Sequence, residues 1–261
     1  MVNKMSDESR SVAIIGAGKI GTVTANKLKT EVALHDPWKN LYIDEFSDYD
    51  YVFVCVDTVQ NGPEDYADLD SALGLLGGQN YSGTVIIRST ISPRKAKLIE
   101  DLYGFKVSLF PEFMPQRAGA LILDDSWMIV IGGTPEVSSD VKRLLLDLGY
   151  FSNEDSCREV SNYESAIIKL SANSILAAKV VMFNSVKAIC DDFESNYETV
   201  KDALTLDKRL GAEYHSIVPS PDDGLPGFGG HCLPKDIKTI IEIDKYDFFK
   251  AVEEVNRKLG R

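Results

Sequence analysis

Short apolar runs alternate with amphipathic segments through the first half of the chain. The apolar runs predict strands at Ser11–Gly16, Glu31–Asp36, Tyr51–Val56, Thr84–Ser89, Lys106–Phe110 and Met128–Ile131. The segments between them predict helices at Lys19–Lys29, Asp65–Leu76, Pro93–Tyr103 and Glu136–Leu148. Tyr51–Val56 is apolar throughout, which suits a strand that is buried on both faces of a sheet. This alternation is typical of an α/β fold with a doubly wound parallel sheet.

From Ser161 onward the pattern becomes helical. Ser161 and Glu164 form a capping-box pattern, and no glycine or proline interrupts residues 162–193, so the pattern predicts one long central helix. We expect a second helix at about Glu198–Leu210 and a third that begins at Pro234. Between them, the glycine- and proline-rich residues 211–231 predict a loop that approaches a ligand closely. The chain is therefore expected to form an α/β domain over residues 1–155 and a helical domain over residues 156–261.

Composition and charge narrow the class of protein. The chain has 261 residues, of which 44 % are hydrophobic and 26 % are charged, values typical of a globular protein. Its longest apolar stretches are far shorter than a membrane span, and the polar segment Met1–Arg10 predicts neither a signal peptide nor an anchor. A net charge of −12 disfavours nucleic acid and anionic lipid as partners. These features predict a soluble protein of the cytoplasm.

The cysteines indicate neither a metal site nor a disulfide framework. Cys55, Cys157, Cys190 and Cys232 lie far apart in the sequence and form no Cys-x-x-Cys pair. A cysteine in this chain is therefore expected to act, if at all, through its own thiol.

A glycine-rich turn joins the first predicted strand to the first predicted helix. It contains Gly16, Gly18, Ile20 and Gly21, and its glycines allow the backbone to approach a pyrophosphate at the helix N-terminus. Asp36 follows at the end of the second predicted strand, where a carboxylate accepts hydrogen bonds from an adenosine ribose. The alternative is a glycine-rich turn beside a surface aspartate. Because all the parts occur in order, we predict a Rossmann-type domain that binds NAD rather than NADP.

Two further groups of residues are candidates for chemistry. Lys169 and Asn173 lie four residues apart on the long predicted helix, so they project from one face, although a solvated lysine and a polar helix position would give the same pattern. Cys232 is expected near a helix N-terminus, whose partial positive charge favours a thiolate, and Asp236 follows one turn later. From spacing alone, a packed cysteine remains the alternative.

The segment from Gly227 to Asp236 resembles the catalytic-cysteine segment of the UDP-glucose/GDP-mannose dehydrogenase family. Other blocks of this family occur in the same order, namely the glycine-rich turn, Ser89–Pro93, Pro111–Met114, Glu164–Asn173 and Asp207–Gly211. The resemblance covers about residues 11–240. Enzymes of this family oxidise the C6 alcohol of a nucleotide sugar to an acid by two hydride transfers to two NAD molecules.

The resemblance implies roles for individual residues. Cys232 would be the nucleophile that holds the aldehyde as a thiohemiacetal and then as a thioester. Lys169 and Asn173 would stabilise the developing oxyanion, and Asp236 and Thr90 would hold a water molecule or take a proton. Glu112 would act in proton transfer or thioester hydrolysis.

The resemblance also implies binding contacts. Thr90 would contact the cofactor as well, and the substrate would contact Glu112, Lys169, Asn173, Phe228 and Gly229. Arg209 would reach the substrate of a neighbouring subunit, which implies a homodimer built on the long helix; a solvated arginine at a helix end is the alternative.

The sequence departs from the family pattern in two places. Gln116 stands where the family often has a second acidic residue, which implies a differently shaped substrate loop. Full-length members continue into a further α/β domain, whereas this chain stops at Arg261. The resemblance therefore predicts a naturally short form, a fragment or one half of a two-chain enzyme.

Three functions fit the sequence. The first is oxidation of a UDP-sugar, in the simplest case of UDP-glucose to UDP-glucuronate. The second is a β-hydroxyacid dehydrogenase, which also uses a lysine and an asparagine four residues apart but has no use for Cys232. The third is a truncated NAD-binding protein with little turnover.

Overall fold

The computed structural model describes residues 10–58, 62–63, 65–113, 116–117, 120–121, 128–210 and 214–261. The chain divides into two compact units. The first comprises Met1–Thr58, Asp65–Met114 and Leu123–Lys169, and the second comprises Val59–Glu64, Pro115–Ile122 and Leu170–Arg261. The expected absence of a signal peptide concerns residues 1–9, which lie outside the described residues, as do Met114, Pro115, Trp127 and Gly211. The expected domain boundary after residue 155 stays a prediction.

A five-stranded parallel sheet forms the centre of the first unit. Its strands are β1 (Val12–Ile15), β2 (Ala33–His35), β3 (Tyr51–Val54), β4 (Thr84–Ile87) and β5 (Lys106–Leu109), in the order β2-β1-β3-β4-β5. Every residue of β1, β3 and β4 is buried, because helices cover both faces of a sheet of this kind. The predicted doubly wound α/β fold is confirmed.

Four helices of the first unit agree with the prediction to within two residues at most ends. They are α1 (Lys19–Lys27), α2 (Ala67–Gly78), α3 (Pro93–Leu102) and α4 (Pro135–Asp147). The sequence provides clear starts for α3 and α4, because the Ser92 and Thr134 side chains cap them and a proline occupies the first helical position of each. Leu144 of α4 packs in one buried cluster with Ile14, Phe53 and Ile86 of the sheet.

The strand predicted at Met128–Ile131 exists as β8 (Ile129–Gly132), but it does not extend the five-stranded sheet. It pairs in parallel with a strand that we did not predict, β9 (Cys157–Val160). Two short strands in the second unit, β6 (Gln116–Arg117) and β7 (Ala120–Leu121), pair with each other in antiparallel fashion. Only Cys157 is buried in β9, so this strand has no apolar run that would reveal it.

One long helix, α5 (Asn162–Asp192), continues from the first unit into the second. It begins as predicted, since Ser161 N–H and the Ser161 hydroxyl both donate to Glu164 Oε2, and Glu164 N–H donates to Ser161 Oγ. These bonds from Ser161 lower the pKa of Glu164. By length and composition α5 also meets the criteria for a membrane span, which our search for unbroken apolar runs missed; 44 % of its most apolar stretch is buried, and core helices of soluble proteins pass the same test.

The remaining helices of the second unit are α6 (Tyr197–Thr205), α7 (Cys232–Ile241) and α8 (Phe248–Lys258). The prediction that α6 extends to Leu210 is wrong, because Asp207 accepts bonds from Arg209 N–H and Leu210 N–H and turns the chain. The prediction that α7 begins at Pro234 is also wrong, since Cys232 is its first residue. Pro234 is nevertheless tolerated, because first-turn N–H groups have no partner within the helix.

Candidate active site

The glycine-rich turn between β1 and α1 is tightly packed on one side and open on the other. Gly16 has φ of +92°, and a Cβ atom there would lie 2.5 Å from the carbonyl oxygen of Cys55. A Cβ atom at Gly21 would lie 1.8 Å from the Gly16 carbonyl oxygen. At Gly18, by contrast, a Cβ atom would meet no atom of the described residues within 4 Å. The glycines at 16 and 21 are therefore required by the turn itself, whereas Gly18 leaves room for a ligand.

The start of α1 suits the pyrophosphate of a dinucleotide. Gly18 is the N-cap residue, it provides no side-chain cap, and the first turn carries no acidic residue. The N–H groups of this turn, which includes Ile20 and Gly21, thus retain the partial positive charge that attracts an anion. This cradle fits NAD, which the glycine pattern implies.

Asp36 is fixed beside the same turn. Its Oδ2 atom accepts a hydrogen bond of 2.9 Å from Ala17 N–H, and Lys39 donates through Nζ to the Ala17 carbonyl. Burial lowers the pKa of the neighbouring His35, although Asp36 opposes this shift. His35 Nδ1 also accepts a bond from a backbone N–H, so this imidazole is neutral near pH 7. Asp36 is therefore held beside the glycine-rich turn with Lys39 as the nearby cation, and its contact with a ribose stays a prediction.

Alanine at Gly18 is expected to weaken NAD binding at least about tenfold without lowering the thermal stability of the free protein. The added methyl group meets no atom in the part of the chain that the structure describes, and φ of −70° suits alanine, so we expect the methyl group to obstruct the ligand. Calorimetric titration with NAD and thermal unfolding of the free protein measure the two effects. The control is Gly74→Ala on α2, where a Cβ atom also meets nothing and NAD affinity should not change. Equal NAD affinity in wild type and Gly18→Ala would show that the pyrophosphate does not lie on this turn.

A second group of candidate residues in the first unit surrounds the loop after β5. Lys169 of α5 is buried, and its Nζ atom donates a bond of 2.5 Å to the Glu112 carbonyl oxygen. The same atom lies 5.0 Å from the centre of the Phe113 ring. Lys169 and Thr90 also line one small cavity of about 10 Å³. The structure thus brings together three predicted residues, Thr90, Glu112 and Lys169.

The Glu112 carboxylate has a partner that the sequence analysis missed. Arg88, directly after β4, donates to Glu112 Oε2 through its Nη2 atom, and the Tyr150 hydroxyl lies 3.5 Å from the same oxygen. A charged residue inside the apolar run Thr84–Ser89 was the available signal, because a buried arginine needs a specific partner.

In the second unit, Cys232, Asp236 and Asn173 form another group. Cys232 is exposed at the N-terminus of α7, and Asp236 lies one turn later on the same helix. The Asp236 side chain is buried, and its two oxygens accept bonds of 2.5 Å from Asn173 Nδ2 and 2.6 Å from Lys235 Nζ. A buried carboxylate is therefore held in one orientation near an accessible thiol.

Burial holds the thiols of Cys55 and Cys157 in the protonated form. Burial raises the pKa of Cys55 to about 12 and that of Cys157 to about 11. Cys190 is buried as well. Cys232 is therefore the most accessible of the four cysteines, since Cys55 is half-buried and the other two are buried.

The backbone that precedes Cys232 is anchored by two buried asparagines. Asn256 of α8 accepts a bond from Phe228 N–H and donates one to the Phe228 carbonyl, while Asn184 of α5 accepts one from Gly227 N–H. The Phe228 side chain lies in the core of this unit beside Ile237. Asn256 thus occupies both backbone groups of Phe228, and the expected contact of Phe228 with the substrate stays a prediction. Gly229 remains at the surface and lines a cleft of about 550 Å³.

Arg209 lies on the surface and is paired locally. Its side chain is 88 % exposed, and its Nε and Nη2 atoms bind the two oxygens of Asp207 at 2.9 and 2.5 Å. This pairing lowers the pKa of Asp207. A contact with the substrate of a neighbouring subunit stays a prediction.

Comparisons with known proteins confirm the resemblance found in the sequence. Residues 163–258 match the model for the UDP-glucose/GDP-mannose dehydrogenase family, central domain. UDP-glucose 6-dehydrogenase of Rickettsia bellii is 28 % identical over 249 residues, which cover 89 % of this chain and 54 % of that protein. The chain therefore spans about half the length of this relative.

Solved structures share the fold. A UDP-glucose dehydrogenase from Pyrobaculum islandicum matches with a TM-score of 0.76 and 20 % identity, over 95 % of this chain and 68 % of that one. The 3-hydroxyisobutyrate dehydrogenase of Mycobacterium tuberculosis matches with a TM-score of 0.70 and 13 % identity, over 95 % of this chain and 93 % of that one. At these identities the likeness establishes the fold alone: a Rossmann-type sheet followed by helices that include one long helix.

Proposed function

We propose that this chain, which is related to UDP-glucose 6-dehydrogenases, carries the NAD-binding and catalytic parts of a nucleotide-sugar 6-dehydrogenase. The observation that carries the proposal is the exposed Cys232 at the start of α7, one turn before a buried Asp236 that Asn173 and Lys235 hold. UDP-glucose, oxidised to UDP-glucuronate, is the substrate that the relatives favour.

Cys232 supplies the nucleophile. Its thiolate adds to the C6 aldehyde, and the oxyanion that forms takes up a proton to give a thiohemiacetal. Loss of a hydride and a proton from this adduct leaves a thioester, and water then cleaves the C–S bond to release the carboxylate and the thiol. When bound, NAD accepts the hydride in each oxidation. The adduct is needed because a free aldehyde hydrates and leaves the site before the second oxidation.

Polar residues on α5 and α7 and in the loops after β4 and β5 assist these steps. Lys169 and Asn173 stabilise the negative charge on the sugar oxygen, as an ammonium group and an amide N–H can do in a site with little water. Asp236 and Thr90 orient the attacking water or accept its proton, and Glu112 transfers a proton during thioester hydrolysis.

A β-hydroxyacid dehydrogenase is the second candidate. The match to 3-hydroxyisobutyrate dehydrogenase favours it, because that match covers 93 % of the other chain. The helical spacing of Lys169 and Asn173 serves either reaction. Cys232 discriminates between them, since oxidation of a hydroxyacid alcohol to a carbonyl group stops after one hydride transfer and needs no thiol.

The test is NADH formation against a panel of UDP- and GDP-sugars, with small β-hydroxyacids in parallel. Nucleotide-sugar oxidation that depends on Cys232 supports the proposal. Oxidation of the hydroxyacids alone would favour the second candidate, and NAD binding without turnover would favour a binding protein. A location in the cytoplasm stays a prediction.

We also propose that two copies of the chain associate through α5. Large apolar side chains recur on this helix at Ile167, Ile175, Met182 and Ile189, and all four are exposed. Intervals of seven or eight residues place them along one face, as in a helix that packs against another helix. Exposed apolar rows of this kind mark association surfaces. Arg209 of one copy would then contact the substrate in the site of the other copy.

Glutamate at Met182 is expected to convert the dimer into a monomer, because a charge at the centre of a helix pair loses its hydration. Light scattering after size exclusion measures the mass. Lys187→Glu on the same helix is the control and should leave the mass unchanged, because Lys187 lies about 140° around the helix from Met182. A wild-type protein that is monomeric at micromolar concentration, or a Met182→Glu variant that stays dimeric, would contradict a dimer built on this face.

A further inference from the structure

Arg88 is enclosed in the first unit at the carboxyl end of β4. Its side chain is 1 % exposed. Its guanidinium carbon lies 4.1 Å from the centre of the Phe110 ring and 5.4 Å from that of Tyr150. Its Nη2 atom donates to Glu112 Oε2 and, over 2.8 Å, to the Tyr150 hydroxyl. The ion pair is therefore buried on the Arg88 side and reaches the surface only through Glu112, which is 13 % exposed.

Stability alone does not account for this arrangement. Removing a guanidinium from water costs more than a typical ion pair returns, and apolar residues often replace such pairs without loss. Among the described residues, Arg88 Nε is also a buried donor that has no acceptor. Polar groups that a fold retains at such a cost are typical of functional sites.

Glu112 is held at both its backbone and its side chain. Lys169 Nζ donates to its carbonyl oxygen, while Arg88 and the Tyr150 hydroxyl bind its carboxylate. The guanidinium stays charged, because Tyr150 and Glu112 raise its pKa overall although burial opposes this. Burial raises the pKa of Tyr150, so its hydroxyl stays protonated and can donate to the carboxylate. These contacts leave the Glu112 side chain one orientation.

We propose that Arg88 is a positioning residue, which fixes the Glu112 carboxylate in the orientation that proton transfer during thioester hydrolysis requires. The inference rests on the proposed function, in which Glu112 transfers the proton. Arg88 acts through Glu112 and does not touch the substrate. Tyr150 completes the arrangement, since it accepts from Arg88 and donates to Glu112.

A double-mutant cycle between positions 88 and 112 tests this inference. Arg88→Met is expected to lower kcat about 100-fold, which is the contribution of a well-placed acid or base, and to change the KM for NAD less than about threefold. In a Glu112→Gln background, Arg88→Met should lower kcat less than about threefold, because the carboxylate that Arg88 positions is already absent. Arg88→Lys restores a cation and should recover kcat to within about tenfold of wild type.

The chain offers a matched control for the loss of a buried cation. Lys95 of α3 is also buried, pairs with the Asp70 carboxylate and lies 5.2 Å from the centre of the Tyr66 ring. Lys95→Met should lower thermal stability as Arg88→Met does, yet leave kcat within about twofold of wild type. A purely structural role for Arg88 would make the two variants behave alike.

Two results would overturn the inference when the wild type oxidises a nucleotide sugar: unchanged kcat in Arg88→Met, or a loss that adds in full to that of Glu112→Gln. If the wild type oxidises none, the proposed function fails by itself. Denaturant unfolding of wild type, Arg88→Met, Glu112→Gln and the double variant then tests the pairing of positions 88 and 112 without turnover. Coupling of about tenfold or more in the unfolding equilibrium constant supports it, and independent effects contradict it.

Discussion

Serine in place of Cys232 is expected to lower the rate of acid formation at least about 1,000-fold, because the hydroxyl is a far weaker nucleophile and no thioester can form. NAD affinity should stay unchanged, since the glycine-rich turn belongs to the other unit. NADH production at saturating UDP-glucose, together with calorimetric titration of NAD, measures both quantities. Cys232 is exposed at the start of α7, and we expect its substitution to have the largest effect of any single substitution.

Cys190→Ser provides the matched control. Cys190 lies in the same unit but is buried, so its substitution changes packing and leaves the accessible thiol in place. The rate of acid formation by Cys190→Ser should stay within about threefold of wild type. Full acid formation by Cys232→Ser would refute the covalent route, and an equal loss in both variants would assign the effect to folding.

Methionine in place of Lys169 is expected to lower kcat by about 100- to 1,000-fold, the range seen when one oxyanion donor is removed. Methionine preserves the apolar length of this buried side chain and removes the ammonium group. Because Lys169 Nζ also holds the Glu112 carbonyl, part of the loss comes from the displaced loop. Steady-state kinetics with UDP-glucose measure the change, and circular dichroism checks the fold.

Lys179→Met on the same helix separates catalysis from helix stability. Lys179 is half-buried and lies ten residues further along α5. The Lys179→Met variant should retain kcat within about twofold of wild type, although the substitution removes a similar charge from the same helix. A Lys169→Met variant that turns over like Lys179→Met would exclude Lys169 from oxyanion stabilisation.

The elements that the sequence predicted well are those whose local pattern and tertiary environment agree. Strands β1, β3 and β4 are buried on both faces and therefore read as unbroken apolar runs. The start of α5 is set by a capping box whose two residues are neighbours in the sequence. The glycine-rich turn is largely local, because the positive φ of Gly16 and the close approach of Gly21 to Gly16 arise within one strand, turn and helix, and only the packing of Cys55 on Gly16 comes from elsewhere.

Long-range contacts account for what the sequence analysis missed. Strand β9 exists because β8 pairs with it, and its own residues are mostly exposed. The sequence also gives no sign that Asn256, 28 residues after Phe228, binds both backbone groups of Phe228. The partners of Arg88 are Glu112 and Tyr150, which lie far away in the sequence and meet Arg88 only in the folded chain.

The ratio of NADH formed to nucleotide sugar consumed tests the central claim most directly. Oxidation through an adduct on Cys232 predicts about two NADH per sugar, a carboxylate as the product and no free aldehyde at any time. Absorbance of NADH and mass spectrometry of the quenched reaction give both quantities in one experiment. A ratio of about one, with an accumulating aldehyde or ketone, would contradict the account.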